Sequence, residues 1–282
     1  MAGQEIKYED KFVAFVDILG FKEIVTNSAA RDDPKSVARM IRRLGSEDDI
    51  ALYRGYGAEV CPTSEKRSAD LAMRISQVSD CVVVSAEVSP AGAINIVNFC
   101  RKIAERLLLR EGVLCQGYLT RGKIVHDGMM FFGPGYQAAV AGEKTAAAIE
   151  LPDGTLGTPF IEIDPVVVSY NETYGDDCTR EMFSRMTISV DDYVLISPYG
   201  IFDRLANWAF DPSKSPDQMC DELGSAKHII DQIESKLAAS KPCHPRAQSK
   251  LDISFAELSK ARDRLADVED IFAGFSRPFP GR

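Results

Sequence analysis

Apolar and polar positions along this chain follow two different rhythms. From Phe12 to Val16 every residue is apolar, and the run stops at Asp17, directly before Ile18-Leu19-Gly20-Phe21. Such a run predicts a buried strand over 12–17. Helical character follows over 22–25 and again over 36–44, where Val37, Met40, Ile41 and Leu44 recur at three- and four-residue spacing. Residues 45–67 are polar and without period, and read as a loop or lid. Residues 71–78 and 81–86 read as strands around Ser79-Asp80. A long helix is predicted over 91–110, with Ile94, Val97, Ile103, Leu107 and Leu108 on one stripe. Strands over 113–123 and 129–132 flank Asp127-Gly128, a good hairpin turn. An Ala-rich helix over 135–149 and a strand over 159–163 complete this part.

The order β-α-α-β-β-α-β-β-α-β predicts an α+β fold: an antiparallel-rich, ferredoxin-like sheet with helices packed on one face. The character changes after about residue 190. A last strand is predicted over 193–196, and then two helical stripes: Met219, Leu223, Ile230, Ile233 and Leu237, followed by Leu251, Phe255, Leu258, Leu265, Val268 and Phe272. Lys241-Pro242-Cys243-His244-Pro245 interrupts them, so they form an antiparallel hairpin. The expected division is a catalytic domain over 1–200 and a helical extension over 201–282.

Composition narrows the partners. A chain of 282 residues with 45% hydrophobic and 27% charged content is ordinary for a globular protein. Its net charge of −9 disfavours nucleic acid or an anionic membrane surface. Local cations and metal ions would still let it bind a nucleotide. The seven cysteines are scattered singly, without a CxxC pair, which predicts a reducing cytoplasm with most of them as small core residues. Met1-Ala2-Gly3-Gln4-Glu5 lacks the basic and apolar regions of a secretory leader, and no apolar run is long enough to cross a bilayer.

Candidate chemistry begins at Asp17. An ionised carboxylate at the end of a buried strand is costly unless neutralised, and a divalent cation is the usual partner. The Leu19-Gly20-Phe21 turn then presents backbone N–H groups at the start of a helix, which suits a phosphate. The competing reading is an aspartate that merely caps the helix. Asp80, on the predicted hairpin, reads alone as a turn residue. In the predicted topology, however, it meets Asp17 on a neighbouring strand. Two carboxylates beside a phosphate turn make a two-metal site for nucleotide chemistry. No cluster has zinc spacing, no Ser-His-Asp or Cys-His arrangement is present, and His126 reads as a turn residue.

On these residues the chain resembles the class III nucleotidyl cyclases. Phe15-Val16-Asp17-Ile18-Leu19-Gly20-Phe21 is similar to their first metal-binding strand and phosphate turn, and Ser79-Asp80 to their Gly-Asp hairpin. Gly117-Tyr118-Leu119-Thr120-Arg121-Gly122 and Gly133-Pro134-Gly135-Tyr136-Gln137-Ala138-Ala139 are similar to their later strand and helix motif. The resemblance spans about residues 10–165. It implies two divalent ions, Mn²⁺ or Mg²⁺, held by Asp17, Ile18 and Asp80. It also implies substrate contacts from Ile18, Leu19, Gly20, Phe21, Gln137 and Lys144, and a head-to-tail homodimer with composite active sites.

The departures are specific. The family's purine-reading lysine falls on Ser76 and its purine-reading Asp or Thr on Met130; the ribose-orienting asparagine falls on Gln137 and the following arginine on Ala141. A site without the Lys/Asp pair lacks the groups that recognise adenine or guanine. This set resembles the pyrimidine cyclases of the bacterial Pycsar anti-phage system. That resemblance implies conversion of UTP to cyclic UMP, or of CTP to cyclic CMP, as a messenger for a separate effector. Arg121 and Lys144 are the candidate replacements for the lost cation, with an exposed helix cation as the alternative for Lys144. Tyr53, Arg54 and Tyr56 are possible base contacts from the loop. A degenerate, non-catalytic nucleotide-binding module is the competing class: the lost Asn and Arg favour it, and retention of both aspartates opposes it. The C-terminal hairpin is expected to serve packing or dimer support only.

Overall fold

Strand β1 (Glu9–Ile18) is an interior strand of the sheet, as its continuous apolar run requires. The computed structural model describes residues 6–45, 49, 51, 68, 70–127, 130–146, 149–151, 154, 156–209, 211, 213–240 and 244–275. Nearly all of the predicted 45–67 loop, with Tyr53, Arg54 and Tyr56, lies outside those residues, as does the tip of the predicted 127–128 turn.

After β1 come α1 (Phe21–Ala30), α2 (Pro34–Ile41), β2 (Arg74–Val78), β3 (Cys81–Glu87), α3 (Pro90–Arg106), β4 (Cys115–Asp127), β5 (Met130–Phe132) and α4 (Pro134–Thr145). β3 and β4 both pair antiparallel with β1, and β2 pairs antiparallel with β3. The order β2-β3-β1-β4 is that of a ferredoxin-like split βαβ unit. Beyond β4 the sheet continues through β8 (Ile161–Ile163, parallel to β4), β10 (Tyr193–Ile196) and β9 (Ile188–Val190). The short strands β6 (Ile149–Glu150) and β7 (Leu156–Gly157) form a separate hairpin. The fold is α+β, as the sequence predicted.

The two faces of β1 divide the core. Phe12, Ala14, Val16 and Ile18 face the main core with Ile94, Val97 and Ile103 of α3. Val13 and Phe15 face the other way, with Ala139 and Tyr136 of α4. The sheet therefore carries helices on both faces, a correction to the one-face expectation. Small residues allow it: a Cβ on Gly122 would come within 2.8 Å of Gly135 Cα, and a Cβ on Gly142 within 2.3 Å of the Tyr118 ring. α4 lies this close to β4 only because those positions carry no side chain.

Two helices lie where the sequence reading had none: α5 (Pro165–Tyr174) and α6 (Asp177–Met186). Each begins with an aspartate cap. Asp164 accepts from the Val166 N–H and Asp176 from the Thr179 N–H. The C-terminal part is α7 (Gly200–Ala209), α8 (Pro216–Ser240) and α9 (Pro245–Phe275), with α8 and α9 bearing the predicted stripes. Their apolar residues form a second core with Leu108, Leu114, Phe160 and Leu195 from the sheet region. Burial of each such leucine or isoleucine contributes about 1.5–3 kcal/mol, so the extension is fastened to the rest of the fold.

Cys81, Cys100, Cys115 and Cys220 are free, and Cys100 and Cys115 are buried small residues as expected. Cys178 is disulfide-bonded, a state that a reducing compartment disfavours. Among the described residues no helix is long and apolar enough to cross a membrane.

Candidate active site

The local folding of β1 and the β2–β3 hairpin brings the two aspartates together. By strand alternation Asp17 lies on the α4 side of the sheet, after Val13 and Phe15. It stands opposite Cys81 of β3 and Gln116 of β4. The hairpin turn is pinned to β1 by a hydrogen bond from the Ile18 N–H to the Asp80 carbonyl at 3.1 Å. Ser79 holds the left-handed conformation (φ 56°) that glycine tolerates best. The Asp17 and Asp80 carboxyls are within hydrogen-bonding reach of each other.

Asp17 is half-buried, and its pKa is pushed up from 3.8 to about 7. Burial is the largest cause, followed by the charges of Asp80 and then Glu143. The same acidic field reaches the Cys81 thiol, pushed up to about 11 by burial and then by Asp17 and Asp80. A concentration of negative charge this dense favours a cation.

Among the described residues no three His, Cys, Asp or Glu side chains converge closely enough to hold an ion unaided. The donor set at hand is two carboxylates and backbone oxygen. It fits Mg²⁺ or Mn²⁺ in the form they take with nucleotides: one or two protein carboxylates, with water and phosphate oxygens completing the shell.

The turn beside the aspartates is built on Gly20 (φ 73°), which caps α1 without any side-chain bond. The Leu19 N–H donates to the Leu114 carbonyl at 2.9 Å, while the Gly20 carbonyl accepts from Glu23 and Ile24. No backbone carbonyl of the described residues takes the N–H of Phe21 or Lys22. A Cβ on Gly20 would meet nothing within 4 Å, so the turn faces open space.

The other predicted residues are spread out. Gln137 is exposed in the first turn of α4. Lys144 is exposed in its last turn and lines a cavity of about 260 Å³ with Gln116, Glu143, Thr158, Arg246 and Lys250. Arg121 stands opposite Phe12, five positions along β4 from Gln116, or about 16 Å at the usual strand rise. It pairs with Asp10 at 2.7 Å, and its guanidinium lies 5.4 Å from the centre of the Tyr170 ring. Within one chain, therefore, Arg121 is not brought to Asp17 and Asp80.

Ser76 is buried and shares a hydrogen bond of 3.0 Å with His126 Nε2, whose Nδ1 shares one of 2.8 Å with Ser85. His126 thus belongs to the buried part of β4, not to a turn. Burial, then the charges of Lys11 and Arg74, pushes its pKa down to about 4.

Four residues at this site were absent from the sequence reading: Gln116, Glu143, Arg246 and Lys250. Gln116 donates from Nε2 to Glu143 and accepts from Lys250 Nζ, tying together β4, α4 and α9. Burial and then Arg246 push the Lys250 pKa down to about 8, against the pull of Glu143 and Asp17. One signal was available: Lys250 adjoins Leu251 on the apolar stripe of α9, where a cation needs a buried partner.

No protein-family model matches this chain, and no curated protein matches it. Among solved structures it is similar to a bacterial light-regulated adenylyl cyclase, with a TM-score of 0.39 and 12% identity, over 59% of this chain and 46% of that one. The chain thus spans less than half the length of that structure, and a likeness this loose carries no argument. The class defined here rests on the chain's own geometry: an α+β fold with a ferredoxin-like sheet and an acidic pair beside a glycine turn.

Proposed function

We propose that this protein is a nucleotidyl cyclase that converts UTP to 3′,5′-cyclic UMP and diphosphate. The observation that carries the proposal is the meeting of Asp17 and Asp80 beside the Gly20 turn. Two carboxylates forced together in a half-buried place raise the free energy of the empty site, and retention of such strain suits a binding function. Divalent ions held there would lower the pKa of the attacking 3′-hydroxyl and neutralise the triphosphate.

The chain's own residues then do the positioning. Asp17 and Asp80 would hold those ions at the ends of β1 and β3, and so set where the reacting end of the substrate lies. The Phe21 and Lys22 N–H groups, at the positive end of α1, offer donors to phosphate oxygens. Catalysis in this reading is orientation and charge neutralisation, the 3′-oxygen attacking the α-phosphorus in line with departing diphosphate.

The choice of a pyrimidine is supported by Ser76 and Met130. Where the resembled family has charged purine readers, this chain has a serine tied to His126 and an exposed methionine. The homodimer of the proposal draws support from apolar surface around β5: Tyr8, Met130 and Phe132 are exposed, with the Tyr8 and Phe132 rings 5.8 Å apart. A cytoplasmic location, against which the Cys178 disulfide stands, and a separate effector answering to the cyclic product, as in anti-phage signalling, complete the proposal.

The test is incubation with each of the four nucleoside triphosphates and Mn²⁺, followed by mass analysis of the nucleotides. Cyclic UMP is expected, absent with Asp17→Ala and with Asp80→Ala. Cyclic CMP would move the specificity to cytosine. No cyclic product from any triphosphate would favour the binding module.

A further inference from the structure

The Gln116 bridge places part of the C-terminal extension at the acidic pair, where the sequence reading gave it only a packing role. α9 begins at Pro245, and Arg246 and Lys250 are one helical turn apart on it. Lys250 is only 7% exposed, and a lysine so enclosed needs a partner. Its partner is the Gln116 amide oxygen, and Gln116 stands opposite Asp17 in the β1–β4 register.

Arg246 and Lys250 also line a second and larger cavity, of about 500 Å³, whose wall includes Leu19 and Gly20 of the glycine turn. Both cavities have these cations in their linings: one also takes in the turn, the other Glu143 and Lys144. A volume of this size is in the range of small-molecule sites.

We infer that Arg246 and Lys250 of α9 bind the triphosphate of the substrate, so that the C-terminal extension is part of the active site of its own chain. This rests on the cyclase reading and adds the chain's own phosphate cations to it. Four features support it: two cations at helical spacing, the burial of one of them, their link through Gln116 to the level of Asp17, and their place in the wall that holds the glycine turn. Ala141, where the resembled family has an arginine, leaves a cation to be supplied from elsewhere in the chain. Lysine and arginine are the side chains suited to phosphate oxygens, arginine as a fork and lysine as a point charge.

The experiment uses the full chain and two probes that contain no base: Mn²⁺ alone, followed by spin resonance, and inorganic tripolyphosphate with Mn²⁺, followed by calorimetry. Lys250→Met keeps the length of the side chain and removes its charge, and thermal melting checks that it folds. Lys250→Met and Arg246→Met should each weaken tripolyphosphate binding roughly 10- to 100-fold. Binding of Mn²⁺ alone should stay within about threefold, and Lys250→Arg should keep most of the affinity. The Michaelis constant should rise by the same factor for every triphosphate the enzyme accepts, because these cations meet phosphate and not base. Unchanged tripolyphosphate affinity in both Met variants would overturn the inference. So would tighter Mn²⁺ binding in Lys250→Met without loss of tripolyphosphate, which would make Lys250 a competitor of the metal. Wild-type protein that bound tripolyphosphate through these cations but cyclised nothing would instead refute the cyclase reading alone.

Discussion

Replacement of Asp17 by asparagine should make the protein more stable while removing its activity. The amide has the shape of the protonated acid, and its NH₂ can donate to Asp80. The magnitude follows from the position of the carboxyl. Its pKa is raised from 3.8 to about 7, so between those values the folded chain holds a proton that the unfolded chain has released. Stability attached to this group is fully present below the unfolded value and is lost as pH rises through the folded one. For a carboxyl wholly shielded from water that loss would be about 4 kcal/mol. Asp17 is only half-buried, and screening reduces the figure to about 2 kcal/mol. At pH 8, without metal, Asp17→Asn should therefore melt about 4–8 °C above wild type, at roughly 2–4 °C per kcal/mol. The gap should close by pH 4, where the wild-type acid is itself protonated. Calorimetry across pH 4–8 reads both. Millimolar Mn²⁺ should raise the wild-type midpoint and leave the variant nearly unmoved, by mass action on the folded state. A variant no more stable than wild type at pH 8, or a gap independent of pH, would refute the argument that burial and Asp80 hold Asp17 in an unfavourable state.

Three other outcomes follow from the same geometry. Ser79→Gly should stabilise the chain by roughly 0.5–1 kcal/mol, because Ser79 occupies the left-handed region at the Asp80 turn; urea unfolding measures it, and a loss of stability would contradict the assigned strain. Gly122→Ala puts a Cβ 2.8 Å from Gly135 Cα, so it should cost about 1–3 kcal/mol and lower activity as α4 shifts and carries Glu143 with it; a wild-type melting curve would show that the backbone contact yields easily. Co-expressed heterodimers of Asp17→Ala and Arg121→Ala, each inactive alone, should recover up to about half of wild-type turnover if Arg121 serves the partner's site; folded heterodimers as inactive as their parents would remove Arg121 from that role.

Much of the architecture was legible because its signals are local. The run that ends at Asp17 is apolar on both faces, and that is how a central strand reads. The stripes of α8 and α9 repeat at helical spacing, and a Pro-containing break separates them. By contrast, α5 and α6 announced themselves mainly through Asp164-Pro165 and Asp176, capping signals that carry less information than a long stripe. From sequence β4 ends at Lys123 and His126 falls in a turn. Its burial depends on Ser76 and Ser85, which belong to two other strands.

The sequence by itself determined the longer strands and the striped helices, the α+β class and the two aspartates with their glycine turn, because strand period, helix period and turn chemistry act between near neighbours. Only the tertiary structure decided that α4 crosses to the opposite face, through a Gly122–Gly135 contact that neither glycine reveals alone. Only it brought Lys250 to Gln116 across a separation of 134 residues. A charged side chain carries no label for its partner in the chain; which cation meets which carboxylate depends on how the packed cores orient whole helices, and that orientation is a property of the assembled fold.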